Sequence, residues 1–238
     1  MRDNCMRRYL PVVLLALLGA AGCVNAAGDS AAGNADVEAS DGDTHSVNGS
    51  IHVPDGAKRG ELTTVNGSIR VGDDAIVSRA HTVNGDIRVG AHATTDSLHT
   101  VNGSITLGAG ARVNATLTTV NGSLALHDDA QVAGVVKSVN GSIALTAAHV
   151  AGGLETVNGD ITLRGTSRID GGILVRKPEF SLFHWETSGP RIVIGPGVSV
   201  AGSLRFERPV RLYVSDRATI GPITGATPVR FSGDEPSG

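Results

Sequence analysis

Three sets of side chains have types and spacings that chemistry could use. His45, His81 and His99 share one phase of an 18-residue period. A fold that stacks successive periods would place His81 and His99 about 5 Å apart, close enough to share a metal ion. The same phase elsewhere holds Thr63, Thr118, Lys137 and Glu155, so the row is not a dedicated ligand set. Asp73-Asp74 and Asp128-Asp129 stand at turn signals and could bind Ca2+, although turn carboxylates are ordinarily solvated. Glu179, His184 and Glu186 lie in one interruption, a thin basis for acid–base catalysis. None of these sets amounts to a catalytic, cofactor-binding or metal site. The expectation is a protein that is not an enzyme and takes no cofactor.

The element that must position every one of these residues is a phrase repeated seven times. Val-Asn-Gly followed by Ser or Asp and then Ile or Leu carries Asn48, Asn66, Asn84, Asn102, Asn121, Asn140 and Asn158, spaced by 18, 18, 18, 19, 19 and 18 residues. A fixed period of this kind marks a solenoid. Within one period Val65, Gly67, Ile69 and Val71 alternate with Asn66, Ser68 and Arg70, the pattern of a strand with one dry face. Gly72-Asp73-Asp74 then signals a turn. Ala75 and Val77 form a second apolar alternation, and Leu62, Ala80, Leu98, Leu117, Val136 and Leu154 supply a third apolar position three residues before each phrase.

Each period therefore reads as one coil with three short strands and three corners. The chain reads as an all-β, three-sided parallel β-helix of about ten coils, roughly 45–50 Å long. Aliphatics also recur at six-residue steps (Val65, Val71, Val77, Val83, Val89), which suggests the left-handed hexapeptide helix. That fold points the fifth residue of each hexad inward. Every third hexad here has His81, His99, Thr118, Lys137 or Glu155 at that place, so the three faces differ and a right-handed β-helix is expected.

Stacking places the seven Asn in register, where each amide can hydrogen-bond the next. Asn and Gly also tolerate the positive φ of a tight corner, and the Gly, on the inward alternation, allows close backbone approach. An exposed Asn row could bind a polymer such as a glycan, but a solenoid needs such ladders whatever it does.

The flanks divide the chain further. Residues 1–26 read as an export signal: Arg2, Arg7 and Arg8, then the apolar run Leu10 to Leu18, then small residues. Ala20-Ala21-Gly22-Cys23 resembles a lipobox that would lipidate Cys23 and anchor the protein to a membrane. Val24-Asn25-Ala26 fits ordinary cleavage instead. Residues 27–44, small and acidic, read as a disordered tether. The β-helix is expected over 45–227, with an aromatic insertion at 176–190 and a disordered tail at 228–238. Phe180, Phe183 and Trp185 in that insertion either seal an apolar patch or form a contact site for a partner or sugar. The only cysteines are Cys5 and Cys23, so no disulfide supports the exported protein. Removing residues 1–26 takes away three Arg and one Asp and leaves 17 basic against 22 acidic residues, a net charge of −5. Without a basic run, nucleic-acid binding has no electrostatic basis.

Two resemblances bear on function. The stretch Ile192 to Ala226, with Val-x-Val-x-Gly-x-Leu and then Ala-x-Ile-Gly-x-Ile, resembles bactofilins. The Val-Asn-Gly-Asp-Ile phrases resemble the exported adhesin-type β-solenoid domains of bacteria. The bactofilin resemblance implies a right-handed three-sided β-helix that assembles end to end without nucleotide, with no catalytic residues. Bactofilins are typically cytoplasmic, whereas this chain carries an export signal. The expected function is a structural or assembly element of the bacterial cell envelope, outer-membrane-anchored, periplasmic or at the cell surface, that self-associates through its coil ends. The alternatives are a surface adhesin that binds a glycan or partner and, below it, a carbohydrate-active β-helix enzyme.

Overall fold

The computed structural model describes residues 42–178 and 189–236. The described chain is all β, without a helix, and its parallel strands stack as a solenoid of about ten coils. One face is a ten-stranded sheet made of the seven strands that follow the phrase, from Ile51–Val53 through Ile105–Leu107 to Ile161–Arg164, and then of Arg191–Ile194, Arg211–Ser215 and Val229–Phe231. A 16-stranded sheet folds over the other two faces. Neighbouring strands come from successive coils, so within the array of phrases residues 18 or 19 apart are register partners, as Ile69 is with Ile87 and Leu117 with Val136.

The second and third faces change character along the chain. Lys58–Thr64, Ile76–Asn84 and Thr94–Asn102 each run across both faces as one strand. From Arg112 onward the strand breaks in two, Arg112–Val113 and Leu117–Thr119 being the first such pair. The break has a one-residue cause. Thr95 pairs with Val113 and Leu98 with Leu117, so three residue steps on one coil face four on the next. The extra residue leaves the ladder, and this accounts for the first 19-residue spacing.

The core is narrow and almost wholly aliphatic. Ile51, Ile69, Ile87, Ile105, Leu124 and Ile143 form one inward column, each at most 1% exposed. Each such side chain contributes about 1.5–3 kcal/mol on burial. Leu62, Ala80, Leu98, Leu117, Val136 and Leu154 form another buried column on the third face. Outward residues between them, such as Arg70 and Arg88, are exposed.

Three expectations are corrected. The positive φ angles expected of the phrase lie at another corner, one per coil after the first-face strand: Gly56, Asp74, His92, Gly110, Asp129, Ala147, Gly165 and Gly197. The solenoid also begins inside the expected tether. Thr44–Ser46 pairs with Leu62–Thr64, and Asp43 Oδ1 accepts the backbone N–H of Glu61 at 2.8 Å. Lastly, the expected disordered tail contains the strand Val229–Phe231, which pairs with Tyr213–Ser215 in a register that sets Val229 beside the outward Tyr213. Beyond it Asp234 meets Arg217 at 2.9 Å and Glu235 pairs with Arg164, so charge holds the segment to the coils.

Candidate functional site

The corner that bears the phrase is where the polar chemistry is concentrated. From the second phrase on, the residue before the Val is Thr64, Thr82, Thr100, Thr119, Ser138 or Thr156, and every one is fully buried. Thr64, Thr82, Thr100 and Thr119 donate their hydroxyls to the phrase-glycine carbonyl of the preceding coil at 2.9–3.0 Å. Ser138 and Thr156 also accept, within their own coil, the N–H of Gly141 and Gly159 at 3.1 and 3.0 Å, and Ser138 keeps a longer donation of 3.5 Å to the Gly122 carbonyl. The hydroxyls thereby satisfy backbone groups at a corner where the ladder hydrogen bonds lapse. This buried row was readable in the sequence as Thr/Ser-Val-Asn-Gly. Apolar periodicity conceals it because it places a polar residue on the inward side.

The glycine beside it has a steric reason. A Cβ on Gly67, Gly85, Gly103, Gly122, Gly141 or Gly159 would stand 1.8–2.1 Å from the carbonyl oxygen of the glycine one coil earlier. Only hydrogen fits between these backbones.

The seven Asn side chains form one continuous, exposed ladder. Asn66 donates to Asn48, Asn84 to Asn66, and so on to Asn158, through six Nδ2–H···Oδ1 bonds of 2.7–2.9 Å. Every amide points the same way, so the row ends on the free Oδ1 of Asn158. Arg208, 50 residues further on, closes it with Nη1 donating to that Oδ1 at 2.5 Å and to the Val157 carbonyl at 3.1 Å. The first-face position next to the ladder carries a second, shorter-range relay in which Ser50, Asp86 and Ser104 accept N–H groups of the next coil.

The histidine row lies on the third face. His45, Thr63, His81, His99 and Thr118 are successive register partners. The rings of His81 and His99 stack with centroids 4.9 Å apart and planes 5° from parallel. Burial holds both imidazoles below their ordinary pKa; Glu61 partly opposes this at His81, and His81 adds to it at His99. Imidazole lone pairs lie in the ring plane, so parallel stacked rings do not converge on one ion. Among the described residues, no group of three or more His, Cys, Asp or Glu could hold a metal.

Further along the same row Glu155 is held between Lys137 Nζ at 3.0 Å and the Arg176 guanidinium. On the second face His149 Nε2 meets Asp170 Oδ2 at 2.7 Å, and Arg168 Nε donates to Oδ1 at 2.6 Å. The His149 and Arg168 contacts push the Asp170 carboxyl below its usual range. An imidazole oriented by a carboxylate is half of a hydrolytic triad, yet among the described residues no hydroxyl or thiol hydrogen-bonds the His149 ring. Of the corner carboxylates, Asp55 and Asp73 accept the backbone N–H of Asp73 and Ala91 in turn, at 2.8 and 2.7 Å. Asp73 therefore serves as a rung between coils. Cys23, Phe180, Phe183, Trp185, Glu179, His184 and Glu186 lie outside the described residues.

No protein-family model matches this chain, and no curated protein or solved structure matches it either.

Proposed function

We propose that this chain is a non-enzymatic structural element of the bacterial cell envelope that associates with copies of itself through the ends of its solenoid. The carrying observation is where each row of strands stops. The last strands of the three faces, Val229–Phe231, Thr219–Ile220 and Ile223–Thr224, each have a neighbour on one side only. Val229 is 57% exposed, and Ile220 and Ile223 are only partly buried against the core. A strand with one unpaired edge is a template for another strand. The repeated polar groups, by contrast, are used between neighbouring coils.

The resemblance of Ile192–Ala226 to polymer-forming bactofilins supports the same reading. The export signal over residues 1–26 and the lipobox-like Ala20–Cys23 support an address in the envelope. Mass spectrometry of the mature N-terminus separates a lipidated Cys23 from a free Ala27. Electron microscopy with light scattering tests assembly: particles should lengthen with protein concentration, and Val229→Lys should shorten them by placing a charge on the terminal strand. A strictly monomeric, concentration-independent species would overturn the proposal.

A further inference from the structure

The outward column of the first face changes its chemistry along the solenoid. Over the later coils it runs Thr106, Ala125, Ala144, Thr162 and Val193 in register. Over the first three coils it runs His52, Arg70 and Arg88. Arg70 and Arg88 are direct register partners on adjacent strands, and both are exposed. Like charges directly opposite each other oppose sheet formation, and nothing in the coil geometry calls for them.

Several other arginines of the described solenoid are neutralised on the spot. Arg79 meets Glu61, Arg168 meets Asp170, Arg176 meets Glu155 and Arg205 meets Glu207. Of the stacked pair, Arg88 has a carboxylate, Asp86 at 2.9 Å, and Arg70 makes no ion pair among the described residues. In the other in-register arginine pair, Arg191 and Arg211, the Arg191 guanidinium lies over the Tyr213 ring at 5.2 Å.

Space and further donors are present beside Arg70. His52, Arg70 and Arg88 border a shallow depression of about 310 Å3, and the hydroxyl-bearing Ser50 and Ser68 border it too. Ser50 Oγ accepts the Ser68 N–H at 3.2 Å, which leaves its own proton to donate. Ser68 contributes a second hydroxyl. The set comprises two arginines on register-paired strands, an imidazole and two hydroxyls, with Asp86 paired to Arg88.

We infer that this depression is a phosphate-binding site, in which Arg70 and Arg88 clamp a phosphate group and Ser68, Ser50 and His52 donate to its remaining oxygens. A carboxylate has two oxygens and is satisfied by one fork, whereas a phosphate has enough to engage both forks and a hydroxyl together. The chain is acidic overall, with a net charge of −3, so anion capture here depends on these local groups.

The phosphate can belong to a soluble phosphate ester or to a lipid headgroup, and two arms separate them. In the first, inorganic phosphate is titrated calorimetrically into the full chain, into Arg70→Gln/Arg88→Gln and into Arg112→Gln, which removes an exposed arginine of another face. Saturable binding should weaken about tenfold or more in the double variant and stay unchanged in Arg112→Gln. In the second, vesicles of phosphatidylcholine with and without phosphatidic acid are sedimented with the same three proteins. Capture that needs phosphatidic acid and both arginines assigns the site to a lipid phosphate. Phosphate binding without such capture assigns it to a soluble ester. Thermal unfolding checks that the glutamine variants fold. The absence of saturable phosphate binding, or equal binding by a folded Arg70→Gln/Arg88→Gln, overturns the inference.

Discussion

A methyl group added at Gly103 would sit 2.0 Å from the Gly85 carbonyl oxygen, well inside contact distance. Gly103→Ala should therefore cost about 3 kcal/mol, the upper end for overpacking a close-packed interior, measured by urea unfolding. Gly42→Ala has open space around its new methyl and should be neutral. Thr100→Val keeps the shape of a buried side chain but removes the hydroxyl that reaches Gly85 at 3.0 Å. Its expected cost is about 1–3 kcal/mol, because a buried carbonyl loses its partner. His81 and His99 give the fold a pH dependence. Their folded pKa values lie below the unfolded value of 6.5, so the unfolded chain takes up protons first as pH falls. The stability tied to the neutral pair is full above pH 6.5 and is lost as pH drops through that value toward the folded pKa values. Glu61 acts on His81 and Arg79 pairs with Glu61, so the comparison needs a matched variant. The urea midpoint should fall less between about pH 7.5 and pH 5 in His81→Gln/His99→Gln than in the parent; equal falls would count against the pair.

The Asn ladder belongs to the scale of the element, because no single rung defines it. Asn102 both donates and accepts within the row, whereas Asn48 only accepts. Asn102→Ala should then cost about twice as much as Asn48→Ala, at about 1 kcal/mol or less for each exposed bond. A double-mutant cycle on Arg208 and Asn158 should give a favourable coupling; a value of zero would reduce Arg208 to a bystander. The ladder was legible in the sequence because stacking turns identity at a fixed period into contact. The coil, its three apolar columns and its period were legible for the same reason. Arg208 was not, since it lies 50 residues from its partner, beyond an interruption of the period, and no repeat announces it. The left-handed corner was not either. Its occupants are Gly, Asp, His and Ala, so conformation recurs there while identity does not. The strand at Val229 was missed because a short polar segment looks like a tail until a neighbouring coil offers it an edge.

At the scale of the whole solenoid, backbone pairing joins each coil only to the coils beside it, and stability is close to a sum of neighbour terms. Amide hydrogen exchange should be slowest in central strands such as Leu117–Thr119, which have partners on both sides, and fastest in Val229–Phe231. Uniform protection from end to end would contradict that additivity. The one-way run of the Asn amides carries a further consequence. Because every rung offers the same donor below and the same acceptor above, a coil does not record its own position. An extra copy of residues 83–100 placed after Thr100 would find a waiting oxygen beneath it and supply an identical one to the coil above. The number of coils is thus a free variable of the gene, open to lengthening or shortening by whole units, and only the two ends, where Asn48 begins the row and Arg208 stops it, are written once.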